Sequence, residues 1–251
     1  MPNIFYNSKL LRFLLNLIFI SLLLSSCDQN NTTKISLEVP NGDLLRVGVL
    51  AVPVMMGNPY ASLNAPTIYT WSAIFDSLTY VRNDGTVIPW LATSWSQSGP
   101  YSWVFKLRES VYFSNGEEFT ADAVVHAVEY LTSAESNNDV VAQMLDSMVS
   151  AKALDSHTVE IFHSRSNVLF PREAASLRIV APKHWKELGK QGFAKEPHGT
   201  GPFMVTHWKP GKVVLEAFEE SWRRPYFKHM EIIAVPEGPQ RVQGIISGGL
   251  H

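Results

Sequence analysis

Two glycines in three positions, followed at once by proline and phenylalanine, most restrict the fold of this chain. They lie in the run Pro197-His198-Gly199-Thr200-Gly201-Pro202-Phe203-Met204-Val205-Thr206-His207-Trp208. Gly199 and Gly201 lift the Cβ restriction on φ, and Pro202 then fixes its own φ. The reading is a tight turn feeding a strand over 203–208, with an architectural rather than a ligand-binding role.

The chain opens with a segment of a different kind. Lys9 and Arg12 precede an apolar stretch over 13–24 that is broken only by Asn16 and Ser21. It falls short of the ~20 residues of a membrane span and has the layout of a secretory signal. Its end, Leu24-Ser25-Ser26-Cys27, resembles a bacterial lipobox, and Cys27 is the chain's one cysteine. That makes 1–26 a lipoprotein signal peptide, with Cys27 as the lipidated residue; the competing reading is a plain free thiol. Several acyl chains are needed for stable anchoring. Asp28 after the cysteine points to the periplasmic face of a bacterial inner membrane. The polar stretch after it makes 27–43 a flexible tether. With a single cysteine no disulfide can form within the chain. A net charge of −2 excludes the basic surplus of a nucleic-acid binder.

The body, 44–251, mixes both periodicities. Residues 44–50 form a short apolar run of strand length. Ile68, Trp71, Phe75 and Leu78 recur at spacings of three and four, which predicts a helix within 67–81. Asn83-Asp84-Gly85 and Ser114-Asn115-Gly116 are turns. Tyr101, Trp103, Phe105 and Leu107 alternate with Ser102, Val104 and Lys106, as in a half-buried strand. Thr120 is placed to N-cap a helix over 121–131. Further strands are expected over 158–162, 178–181, 203–208, 213–218 and 230–235. Helices are expected over 183–188 and 239–247, and 168–176 reads as loop or short helix. The fold class is α/β with a mixed sheet and an antiparallel β-rich subdomain over roughly 59–165.

The order of segments resembles family 5 extracellular solute-binding proteins, the peptide- and nickel-type receptors of ABC importers. The matching stretches begin with Leu45-Arg46-Val47-Gly48, Ile74-Phe75-Asp76-Ser77-Leu78-Thr79-Tyr80 and Pro89-Trp90-Leu91-Ala92-Thr93-Ser94-Trp95. They continue through 104–111, 113–124, Gly199-Thr200-Gly201-Pro202-Phe203, Trp222 with Arg224-Pro225, and Arg241-Val242 leading to Ile246-Ser247-Gly248. One departure is Ala123, which stands where an acid would complete a reciprocal cap with Thr120. The resemblance implies a periplasmic-binding-protein-like first lobe of the class II type, incomplete and without its second lobe. It also implies a cleft that closes on solute by a hinge. Implied partners are an ABC importer permease, a short peptide or similar small solute, and the membrane through the lipid anchor. A separately encoded second lobe fits the same reading. A nickel-chelate or other small-solute receptor stays open as an alternative, as does a truncated or split gene product without transport function. A lobe missing its return segment is expected to leave a bare sheet edge and exposed apolar surface.

Within that frame, the loop after the first strand offers Met55, Met56 and Tyr60 as candidate ligand contacts. Methionines filling core gaps fit equally well. Arg178 is placed to pair with a ligand carboxylate, against the plainer reading of a locally paired arginine. Trp71, Trp103, Trp208 and Trp222 could stack on a ligand or fill the core. No catalytic residue is assigned: the chain lacks a Gly-x-Ser-x-Gly elbow, a phosphate-binding Gly-x-x-x-x-Gly-Lys-Ser/Thr loop and a His-Glu-x-x-His pair. His126 with Glu129, and His198 with His207, lack a third clustered ligand in sequence. No cofactor or metal is therefore assigned.

Overall fold

The structure, a computed structural model, describes residues 43–54, 56–63 and 65–251. The expected signal peptide, Cys27, the expected tether up to residue 42, and Met55 lie outside the described residues. In chain order the elements begin with strand β1 (Leu44–Val49), helix α1 (Ala65–Ile74) and strands β2 (Thr79–Val81), β3 (Val87–Pro89), β4 (Ala92–Gly99) and β5 (Ser102–Leu107). Helices α2 (Ala121–Leu131) and α3 (Val140–Met144) lead to strands β6 (Met148–Asp155) and β7 (Thr158–His163). Helices α4 (Phe170–Glu173) and α5 (Pro182–Lys195) follow, then β8 (Phe203–Lys209), β9 (Lys212–Ala217), β10 (His229–Ala234) and helix α6 (Gly238–Ile246).

The strands form three sheets. The first is mixed, in the order β1-β10-β9-β8, with β1 parallel to β10 and the other pairs antiparallel. The second is the β2-β3 hairpin. The third is fully antiparallel, in the order β4-β5-β7-β6. The alternation read in 101–107 makes β5 an inner strand: Phe105 and Leu107 point into the core, and Lys106 between them is exposed. Helix α2 lies across β6 and β7 and buries Ala121, Val124, Val128 and Leu131. Thr120 sits at its N-cap in an extended conformation, but its hydroxyl makes no capping bond. Among the described residues, no helix is long and apolar enough to cross a membrane.

Several elements differ from the sequence expectation. The helix foreseen within 67–81 stops at Ile74, and its carbonyl accepts a hydrogen bond from Gly201 N at 2.9 Å. Leu78 is buried beyond the helix, and Ile68 is 39% exposed. Residues 178–181 make no strand; Arg178 forms an isolated bridge to Ser77. Helix α5 runs past 188 only by way of a kink at Gly189 (φ 65°). Gly199 and Gly201 do not use positive φ. They are glycines for another reason: a Cβ on Gly201 would stand 2.6 Å from the Ala73 carbonyl oxygen, and one on Gly199 would run into that of Ile74. Close backbone approach, not left-handed geometry, fixes the motif. The outer edge of β1 is not bare, because His251 N donates to the Arg46 carbonyl at 2.9 Å and Arg46 N donates back to His251 Nδ1 at 3.0 Å.

Candidate functional site

A cleft of about 400 Å³ opens beside the C-terminal end of α1, lined by Phe75, Asp76, Tyr80, Trp90, Arg178 and Arg223 among others. Its geometry centres on one buried acid. Asp76 follows the last residues of α1, where Gly201 stops the helix and turns the chain inward. Trp90 Nε1 donates to its Oδ1 at 2.7 Å, and Arg223 Nη2 pairs with the same oxygen at 2.8 Å. Thr200 Oγ1 and Trp222 Nε1 both donate to Oδ2 at 2.9 Å. Four donors satisfy a carboxylate that burial alone would make costly.

The aromatic rings on this acid stack outward. Tyr80 lies on Trp90 with centroids 4.9 Å apart, and Trp90 meets Trp222 edge-on at 5.1 Å. Arg223 sits 5.2 Å above the Trp90 ring, and Arg108 4.3 Å above Trp222. Such cation–π contacts hold guanidinium groups in fixed orientation. Arg223 Nη2 also donates to the Ser72 carbonyl at 2.9 Å, tying the cleft wall to α1.

Arg178 is the second guanidinium and is only 7% exposed. Its backbone is locked: its carbonyl accepts from Tyr60 Oη at 2.9 Å, and Ile179 N donates to the Asp76 carbonyl at 2.9 Å. Its side chain has only a long bond, Nη1 to the Pro59 carbonyl at 3.5 Å. Among the described residues no carboxylate pairs with it. Burial pulls its pKa down to about 10, so it stays charged at neutral pH. A buried cation without an anion partner is an expensive arrangement that an incoming carboxylate would relieve.

The residues expected from sequence divide. Arg178 lines the cleft, and the structure joins it to Tyr60. Tyr60 itself has no exposed surface. Its ring stacks on Tyr130 at 5.4 Å and meets Trp185 at 5.6 Å, so in place of an open aromatic face it supports Arg178 from within the core. Burial raises the pKa of its hydroxyl, which keeps the donating proton in place. Met56 adopts φ 47° beside Gly57, whose N donates to the Ala194 carbonyl at 2.7 Å; this anchors the loop to α5. Of the four tryptophans, Trp71 is buried, Trp103 and Trp208 are half-buried against the core, and Trp222 serves Asp76. Asp76, Trp90 and Arg223 were given no role from sequence. A lone acid inside the apolar stretch Ile74-Phe75-Asp76-Ser77-Leu78 was the available signal, since a buried charge needs built partners.

Comparison with known proteins fits this geometry. Residues 86–251 match the family model described as "Bacterial extracellular solute-binding proteins, family 5 Middle". The chain is 30% identical over 209 residues to the nickel-binding periplasmic protein of Escherichia coli (strain K12), covering 80% of this chain and 39% of that protein. Among solved structures, NikA from Brucella suis in complex with Fe(III)-EDTA superposes with TM-score 0.68 at 27% identity, over 82% of this chain and 42% of that one. AppA from Bacillus subtilis in complex with a nonapeptide shares the fold, with TM-score 0.75 at 20% identity, over 83% of this chain and 43% of that one. The chain thus spans less than half the length of these relatives, and its fold is that of one lobe of a periplasmic binding protein.

Proposed function

The chain belongs to the family 5 bacterial extracellular solute-binding proteins, and from that premise we propose that it captures small solutes bearing a carboxylate, short peptides first, for an ABC importer permease. One observation carries the reading: the Arg178 guanidinium is buried at the cleft and lacks an anionic partner among the described residues. A peptide C-terminus supplies that anion in bidentate geometry. Tyr80 and Trp90 offer a stacked aromatic wall for the solute's body. Met55 and Met56, in the loop after β1, are assigned a soft, adaptable contact with the solute. Binding is the whole task here, and no residue is assigned to catalysis.

A second reading has its own support. The Escherichia coli relative is a nickel-binding protein, and NikA of Brucella suis holds Fe(III)-EDTA, a metal chelate rich in carboxylates. Arg178 would serve such a chelate by the same chemistry. Cys27 is assigned to lipid attachment, with 1–26 as signal peptide and 27–43 as tether, at the periplasmic face of the inner membrane.

Tryptophan fluorescence tests the capture directly, because Trp90 lines the cleft. Titration with tripeptides, and separately with a nickel–histidine chelate, is expected to give saturable quenching. With the contacts of one lobe only, half-saturation is expected near ~1 mM. Arg178→Met should weaken it at least about tenfold, the equivalent of ~1.4 kcal/mol. Equal binding by the variant would refute the role of Arg178, and the stronger of the two ligand classes decides between the readings. Palmitate labelling in cells tests the anchor: label is expected on the wild-type chain and not on Cys27→Ser.

A further inference from the structure

Away from the cleft, three residues with metal-binding chemistry meet at the folded-back ends of one helix. Helix α5 would carry His184 at its start and Glu196 after its end some three turns, about 18 Å, apart if it were straight. Gly189 breaks it with φ 65° and ψ 175°, and the second half turns back. As a result His184 Nε2 lies 3.0 Å from the Glu196 carbonyl oxygen, and the His184 and His198 rings stand 4.6 Å apart at 76°. One ligand atom from each of His184, Glu196 and His198 falls within 4.8 Å of the others. None of the three lines the cleft.

We propose that His184, Glu196 and His198 form a binding site for a divalent transition-metal ion of the zinc, nickel and copper class. Two imidazoles and a carboxylate are a donor set suited to these ions, and with three protein ligands a further position stays open to water. The surroundings orient the ligands. Ser114 Oγ lies 2.8 Å from His198 Nδ1, which fixes that ring and leaves Nε2 for the metal. Glu117 holds the backbone of the other histidine: its carboxylate accepts from Lys183 N at 3.0 Å and His184 N at 3.1 Å. Tetrahedral bonds of about 2.1 Å place ligand atoms roughly 3.4 Å apart, so closure on the ion takes a side-chain adjustment of about 1 Å. Glu196 is exposed and His184 and His198 are half-exposed, which gives the ion a path from solvent. Bound there, the ion ties both ends of α5 to the loop entering Gly199, whose carbonyl already accepts from Ser114 N at 2.9 Å.

The experiment is calorimetric titration of the chelator-stripped full chain with Zn²⁺, Ni²⁺ and Cu²⁺ as chlorides. One ion per chain is expected, with affinity lowered at least about tenfold in His184→Gln and in His198→Gln. His207→Gln, exposed on β8, and Arg178→Met in the cleft should bind as the wild type does. That last variant separates this site from solute capture, so either proposal can fail alone. Should the histidine variants misfold by circular dichroism, carbethoxylation of the wild-type chain replaces them: Zn²⁺ is expected to protect His184 and His198 and to leave His207 reactive. Absence of saturable one-to-one binding, undiminished binding in both variants, or failure of Zn²⁺ to protect the two histidines would overturn the site.

Discussion

The two four-stranded sheets differ in how they are covered. The antiparallel sheet has α2 across it, and eight side chains of that helix are buried. Phe105, Val159 and Ile161 beneath it have no exposed surface. In the mixed sheet β1 is mostly half-buried, and α6 buries no residue at all, with Val242 and Ile246 at 58% and 70% exposure. Val213 and Leu215 on β9 are fully buried and Ile232 on β10 nearly so, and α1 supports the sheet through Trp71 on Trp208 at 6.2 Å. Burial in the antiparallel sheet is concentrated on its inner strands β5 and β7, while its edge strands β4 and β6 are largely exposed. In the mixed sheet it thins towards β1 and α6.

The comparison can be broken first at the antiparallel core. Phe105→Ala is expected to cost about 4 kcal/mol in urea unfolding, because a closed core cannot collapse around the lost ring; a loss below ~1 kcal/mol would show that this sheet is no better packed than the other. Next comes the joint between the sheets, where Asp76 holds Trp90, just before β4, and Thr200, just before β8. Asp76→Asn, which removes the partner charge of Arg223, should cost about 3 kcal/mol and unfold both sheets together, as coincident fluorescence and circular dichroism transitions would show. Gly201→Ala should cost about 2 kcal/mol through the added Cβ against α1.

Acidification should act more weakly, and on the antiparallel side. Burial on α2, helped by nearby Lys186, lowers the His126 pKa to about 4 from 6.5. As pH falls below 6.5 the unfolded chain takes up the proton and the folded chain does not. Stability is therefore lost between pH 6.5 and about 4, and His126→Gln should flatten that slope in melts across the range. Smallest of all is Ile246→Ser on the exposed face of α6, expected within ~0.5 kcal/mol of wild type. A larger loss would mean that α6 carries the mixed sheet after all.

The same contrast explains what could be read from sequence. Alternation in 101–107 announced β5, and the Gly199-Thr200-Gly201-Pro202 run ahead of 203–208 announced β8, because these signals are local. Strand β4 was missed because its Ser- and Gln-rich stretch is largely exposed and shows little apolar alternation. The helix over 67–81 was drawn too long because Phe75 and Leu78 keep its spacing, while its stop is imposed by Gly201 from far along the chain. Arg178 was found through resemblance. The network around Asp76 beside it was not, since Asp76 and Trp222 are 146 positions apart. His198 was weighed against His207, its neighbour in sequence, whereas the kink at Gly189 delivers His184 instead.

The parallel pairing of β1 with β10 sets an order of events during synthesis. Arg46 finds Glu231 across 185 positions, so the first of the described strands to leave the ribosome is among the last to be paired. Sheet β4-β5-β7-β6 can close long before, while an apolar N-terminal ribbon waits unzipped. A holding factor, or passage across a membrane before folding, would find its handle there.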